Sequence, residues 1–377
     1  MRKVFTMALL AMVLGLVLFT GPAEASRKKG PKVQLAILLD TSSSMSGLIE
    51  QAKTQLWSIV NEFTRARSAG EKPSFQVALY EYGNNGLSKE SGYVRQILPF
   101  TDDLDRVYEE LFSLTTNGGE EYCGTVIRDS VEDLEWSGSK NDYRVIFIAG
   151  NEPFNQGSVD YRESCKSAIG KGIIVNTIHC GDAQTGVDGK WKDGATLAEG
   201  AYLHIDHNRK VVHISAPQDD EINRLGAELN KTYVPYGSSG GAGLARQSAQ
   251  DSNAGSLSSE TLAKRNAAKA STFYKNASWD LVDAVDQGKA DPKKLDKDEL
   301  PENMREMGTE ERIKYIEEMK NKREEIQKEI ARLRDEREEY VADKRKEMAE
   351  NGGDDSLGEA VLKTVREQSR NRGFSFE

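Results

Sequence analysis

Residues 33–40 (VQLAILLD) form an almost unbroken apolar run between Lys-Gly-Pro and a serine cluster. That pattern predicts a short strand covered on both faces. Over 48–63 the apolar positions Leu48, Ile49, Ala52, Leu56, Ile59, Val60 and Phe63 recur at helical spacing, which predicts an amphipathic helix. The alternation continues. Strands are expected at 74–82, 93–100, 143–149, 173–180, 201–206 and 211–214, and helices at 103–113, 123–136, 159–170, 194–199 and 218–231. Strands that alternate with helices build an α/β fold, a doubly wound, mostly parallel Rossmann-like sheet with helices on both faces.

After residue 235 the pattern changes. Residues 236–258 are rich in Gly, Ser, Ala, Asn and Gln and read as a Gly/Ser-rich linker, with room for one short helix around 244–252. Residues 259–350 read as a helical, partly coiled-coil region. Within it, positions 316, 319, 323, 326, 330, 333, 337 and 340 are Ile, Met, Arg, Ile, Ile, Leu, Arg and Tyr, a seam of alternating a and d positions in an otherwise charged stretch. The seam predicts weak helix-mediated self-association, in competition with antiparallel packing inside the chain, and the two arginines weaken it. Residues 351–377 read as a flexible tail.

Composition narrows the function classes. The 377 residues carry 51 Lys and Arg against 61 Asp and Glu, a formal net charge of −10. That balance excludes a broad electrostatic grip on nucleic acid. The first 25 residues read as a signal peptide: Arg2 and Lys3, an apolar stretch to Phe19, then Ala23-Glu24-Ala25 ahead of Ser26. The mature chain is expected to be exported, periplasmic or extracellular; an uncleaved membrane-anchoring helix is the alternative. Export would place Cys123, Cys165 and Cys180 in an oxidising compartment. Cys165 with Cys180 is the pair chosen for a bridge, against three buried small hydrophobic residues.

The chemistry lies where the first strand ends. Asp40-Thr41-Ser42-Ser43-Ser44 is a D-x-S-x-S pattern between a buried strand and an amphipathic helix. Open parallel sheets bind ligands beyond the carboxyl ends of their strands. One carboxylate and two hydroxyls, Asp40, Ser42 and Ser44, offer hard oxygen ligands to a divalent ion, Mg²⁺ in the first instance. Such a set under-neutralises its ion and would leave a position for a carboxylate from a partner. The competing reading is that the serines only cap the next helix.

The stretch ILLDTSSSM, its placement and the alternating elements to about residue 231 resemble a von Willebrand factor type A (vWA) domain over residues 30–235. The resemblance implies a metal-ion-dependent adhesion site that opens with D-x-S-x-S, which Asp40, Ser42 and Ser44 match. It also implies a threonine after paired glycines in a second loop. Here Asn117-Gly118-Gly119 is followed by Glu120-Glu121, so Glu120 becomes the candidate, with Thr116 as runner-up. A third loop would supply an aspartate where this chain has Gly150, with Glu152 two residues on. An added carboxylate would lower the residual charge of the ion, favour Ca²⁺ or Mn²⁺ over Mg²⁺, and weaken capture of a partner carboxylate.

Two function classes follow. The first is an exported binding or scaffold protein that uses the metal face to recognise a protein partner or envelope component. The second is a metal-dependent hydrolase, whose general base would have to be Glu120, Glu121 or Glu152. An envelope assembly or remodelling subunit is a further alternative. The scarcity of histidine and of a convincing nucleophile weighs against an enzyme.

Overall fold

A computed structural model describes residues 30–205, 214–350 and 357–376. The expected signal peptide and the 211–213 part of the last expected strand lie outside the described residues. The elements run β1 (Lys32–Asp40), α1 (Ser46–Thr64), β2 (Ala66–Ser68), β3 (Ser74–Tyr82), β4 (Val94–Thr101), α2 (Leu104–Ser113), α3 (Cys123–Asp133), β5 (Tyr143–Gly150), α4 (Tyr161–Gly170), β6 (Ile174–Cys180), α5 (Ala183–Asp188), α6 (Trp191–Leu197) and β7 (Tyr202–Ile205). They continue with α7 (Asp219–Asn230), α8 (Gly240–Leu257), α9 (Ser259–Lys269), α10 (Leu281–Asp286), α11 (Thr309–Glu350), α12 (Leu357–Arg370) and β8 (Phe374–Phe376).

The main sheet has the order β4-β3-β1-β5-β6-β7. All its pairs are parallel except β3 with β4, which are antiparallel. β1 is central because its run is apolar on both faces. Val33, Leu35 and Leu39 join the core under α1 and α2, whereas Ala36 and Leu38 join the core under α3 and α4. The chain leaves β1 toward β3 and later returns on the other side as β5, so the strand order reverses at β1 and a crevice opens at its carboxyl end. Asp40 sits there.

Three C-terminal expectations are corrected. Residues 240–257 of the expected linker are helix α8. The glycine at 243 provides closeness rather than flexibility, since the Trp279 ring occupies the space that a Cβ would need. Residues 357–376 of the expected flexible tail form α12 and β8. Val361, Val365 and Phe374 complete the core beneath α1, β8 pairs with β2, and Arg366 grips Glu62 with bonds of 2.5 and 2.6 Å.

The seam of α11 does not await a second copy of the chain. Ile326, Ile330 and Leu333 pack with Ile222, Leu225 and Leu229 of α7 and with Ala263 and Ala267 of α9. Its two arginines find acids in the same chain. Arg323 donates to Asp280 at 2.7 Å and Asp283 at 2.6 Å, and Arg337 donates to Asp219 at 2.5 Å. The charges that weaken a dimer seam therefore specify the intramolecular packing.

A buried ionic cluster fixes this helical region to the α/β layer. Arg265 of α9 is fully buried, donates to Asp105 of α2 and Asp251 of α8 at 2.6 Å each, and lies over the Trp57 ring. Lys269 completes the cluster through Asp251 and Asn230.

The cysteines do not bridge. All three are buried and free; Cys165 lies in the core on one face of the sheet and Cys180 in the core on the other, so the sheet separates the chosen pair.

Candidate metal site

β1 delivers Asp40 to the crevice with no exposed surface, and Ser42 is nearly as deep. Asp40 Oδ1 accepts the Ser42 N–H at 2.7 Å, which folds the D-x-S loop back over the strand end. Thr41 faces away: its hydroxyl donates to Glu81 Oε2 at 3.1 Å, and its N–H donates to the Tyr82 carbonyl at 2.9 Å. Two polar atoms remain in the crevice, Asp40 Oδ2 and Ser42 Oγ, both buried without a hydrogen-bond partner. A buried acceptor left unpaired costs on the order of 1–3 kcal/mol, so such a pair calls for a ligand.

The second loop supplies a carboxylate, from the residue next to the expected one. Glu120 is exposed, whereas Glu121 is buried. The Glu121 carboxyl is the neighbour of both Asp40 and Ser42 in the crevice. Its Oε2 accepts the Glu152 N–H at 3.2 Å, and its own N–H donates to Gln156 Oε1 at 3.3 Å. Glycines allow this approach. Gly83, at φ +79°, leaves no room for a Cβ, which would stand 2.7 Å from Asp40 Oδ1 and 3.0 Å from Glu121 Cγ. A side chain on Gly119 would collide with the Gly83 carbonyl.

The third loop brings no side-chain ligand to the crevice. A Cβ on Gly150 would stand 2.5 Å from the Tyr82 hydroxyl, 3.1 Å from Trp191 and 3.2 Å from Asp40 Cβ. The Tyr82 hydroxyl is anchored by donating to the Ala149 carbonyl at 2.9 Å. The space an aspartate would need is therefore filled by two aromatic side chains. Glu152 is exposed at the rim and meets Glu121 through its backbone. Ser44 is also exposed and its hydroxyl reaches Asn151 Oδ1 at 3.5 Å, so it stands at the mouth rather than in the crevice. Thr116, the runner-up, is half-buried in the same loop.

Burial, and then the neighbouring Glu121 charge, push the Asp40 carboxyl up to about 9. Burial raises Glu121 as well. Two carboxyls this close and this dry cannot both stay ionised without a cation. The site must hold either a proton between them or a metal ion. Among the described residues no group of three or more His, Cys, Asp or Glu is arranged around a metal position. Asp40, Glu121 and the Ser42 hydroxyl are the groups that would hold an ion here, hard oxygens that suit Mg²⁺, Mn²⁺ or Ca²⁺ with water completing the sphere. The residues present fit such an ion.

The described residues contain no helix long and apolar enough to cross a membrane. No curated protein matches the chain. Solved structures similar to it include BatB from Bacteroides thetaiotaomicron, at 19% identity and TM-score 0.35, over 46% of this chain and 90% of that one. An aerotolerance-related membrane protein from Bacteroides fragilis is similar at 16% identity and TM-score 0.32, over 46% and 92%. The SpRpn10 VWA domain is similar at 14% identity and TM-score 0.36, over 48% and 91%. Residues 34–187, which run from β1 through α5 and include the crevice, match the family model of the von Willebrand factor type A domain.

Proposed function

We propose that this chain is an exported binding or scaffold protein whose vWA domain recognises a protein partner or envelope component through a loop face organised by a divalent ion. A domain of this family suggests a protein-interaction or scaffold role. The observation that carries the metal reading is the pair of partnerless buried atoms, Asp40 Oδ2 and Ser42 Oγ, beside the buried Glu121 carboxyl. When bound, the ion supplies the positive charge that lets both carboxyls ionise. Asp40 and Ser42 hold the first loop and Glu121 the second, so one site ties β1 to the segment that enters α3. The third loop joins through the Glu152 N–H on Glu121. Two carboxylates neutralise a divalent charge, which makes Mn²⁺ or Ca²⁺ acceptable beside Mg²⁺.

Calorimetric titration of the full chain with Mg²⁺ and Mn²⁺ tests the assignment. Glu121→Gln should weaken binding by about tenfold or more, the scale of a lost charged group in a metal site. Glu120→Gln should leave affinity within about twofold, as expected for a screened surface charge. The reverse order would overturn the ligand set.

A further inference from the structure

A cavity of about 650 Å³ lies where α1, α9, α11 and α12 meet. It runs along the last turns of α1, from Ser58 to Arg65, at the opposite end of that helix from the Asp40 crevice, and shares no lining residue with it. Pockets for small organic ligands hold roughly 300–1,000 Å³. Among the described residues seven cationic side chains line it against five carboxylates. Asp219 and Glu260, which do not line it, pair with Arg337 at 2.5 Å and Lys264 at 2.7 Å and bring the sum to zero. Net charge therefore does not choose the ligand. The hydrogen-bonding atoms left over do.

The acids of the wall are taken. Glu62 accepts from Arg366 at 2.5 and 2.6 Å, Glu338 faces Arg65 Nη1 at 2.7 Å, and Glu359 pairs with Arg345. Asp335 and Glu339 are exposed. Three further atoms, Arg337 Nη2, Arg65 Nε and Asn61 Oδ1, are buried and make no hydrogen bond. Arg337 is 5% exposed and Asn61 6%. The Glu260 carboxylate stands 3.8 Å from Arg337 Nη2, beyond hydrogen-bonding distance. Arg65 reaches across from the end of α1 to Glu338, the neighbour of Arg337 on α11, so both guanidiniums serve the same cavity. Burial lowers the Lys264 ammonium, and the Arg337 and Arg345 charges lower it further against the pull of Glu260. An anion among these cations would relieve their repulsion. Guanidinium N–H groups suit an oxyanion, and a lone amide oxygen suits a hydroxyl.

We propose that this cavity binds a small hydroxylated phosphate ester, of the size of a sugar phosphate, with its phosphate received by Arg337 and Arg65 and a hydroxyl donating to Asn61 Oδ1. A phosphate has enough oxygens to accept from both guanidiniums at once. The ligand would tie α11 and α12 to α1, and so couple its presence to the attachment of the C-terminal segment. The site stands independently of the metal reading.

The test is calorimetry on the full chain in EDTA at fixed ionic strength, with glucose 6-phosphate, glucose and inorganic phosphate as probes. Glucose 6-phosphate should bind once per chain, about fivefold or more tighter than inorganic phosphate, and glucose should not bind. Amide exchange in α12 should slow in its presence. Arg65→Lys keeps the charge that faces Glu338 and removes the Nε donor; Arg337→Lys keeps the charge that faces Asp219 and removes Nη2. Each should lower the affinity about tenfold. Lys192→Gln, exposed on α6, is the control and should leave it unchanged. If Arg337→Lys does not fold, Arg65→Lys decides. Absence of glucose 6-phosphate binding would overturn the proposal, as would equal affinity for glucose or inorganic phosphate, full affinity in Arg65→Lys, or an equal loss in the control.

Discussion

Replacing Asp40 by asparagine should stabilise the metal-free protein while abolishing its metal affinity. Asparagine keeps the Oδ1 acceptor that holds the Ser42 N–H and removes the charge that faces Glu121. The magnitude follows from the carboxyl, which burial and Glu121 raise from 3.8 to about 9. Between those values the folded state binds the proton that the unfolded state has released, so stability falls as pH rises from about 4 toward 9. Near pH 7 roughly three pH units separate the solution from the lower value. At about 1.4 kcal/mol per unit, the fold gives up on the order of 4 kcal/mol. Asp40→Asn should recover about 2–4 kcal/mol of this near pH 7 and almost nothing near pH 4. Urea denaturation in EDTA across that range measures it. Excess Mn²⁺ should then stabilise the wild type, by about 2.7 kcal/mol at a hundredfold excess over Kd, and leave the variant unmoved. A variant less stable than wild type in EDTA near pH 7, or one with the same pH slope, would refute the reasoning and make Asp40 an ordinary structural carboxylate.

Gly150→Ala should cost about 1–3 kcal/mol by urea denaturation, because its Cβ would press on the Tyr82 hydroxyl and Trp191; Gly150→Asp should bring no gain in Mn²⁺ affinity by calorimetry, and a gain would show that the third loop can supply a ligand. Arg265→Met should cost about 3–5 kcal/mol, because it leaves buried Asp105 without its cation and Asp251 with Lys269 alone; the melting temperature should fall by roughly 5 °C. Burial alone would raise the Asp251 carboxyl, but Lys269 and Arg265 more than offset it and hold it below 3.8, so its contribution is present above about pH 4 and lost as acid titrates it further down. Deleting 357–377 should lower stability by about 4–8 kcal/mol, from the lost burial of Val361, Val365 and Phe374; an unchanged melting curve would restore the picture of a dispensable tail.

The α/β layer was legible because β1 is apolar on both faces and α1 on one, and those periods survive any detail of packing. Asp40 and Ser42 were legible for a similar reason, since a strand end fixes where the next residues turn. The choice between Glu120 and Glu121 was not. It depends on the phase at which the loop enters α3, and that phase is set by Gln156 holding the Glu121 N–H from the third loop, a long-range bond. Gly150 could be read as a departure, but the reason for it lies in Tyr82, an aromatic residue delivered by a different strand. In α11 the heptad spacing was real, yet a periodic seam does not say whose surface covers it; here α7 and α9 do, and Asp280 and Asp219 answer the two arginines. Composition misled at α8, where glycine serves close packing under Trp279. The signal missed altogether was Val361, Leu362 and Val365, a helical spacing within a polar tail.

The central claim is that a divalent ion sits between Asp40, Ser42 and Glu121. A crystal of the full chain grown with Mn²⁺ and measured at the manganese absorption edge tests it most directly. The account predicts one anomalous peak in the crevice, at bonding distance from Asp40 Oδ2, Ser42 Oγ and a Glu121 carboxylate oxygen, with Glu120 turned to solvent. An empty crevice at saturating Mn²⁺, or a peak held by Glu120 and Ser44 at the mouth, would contradict it.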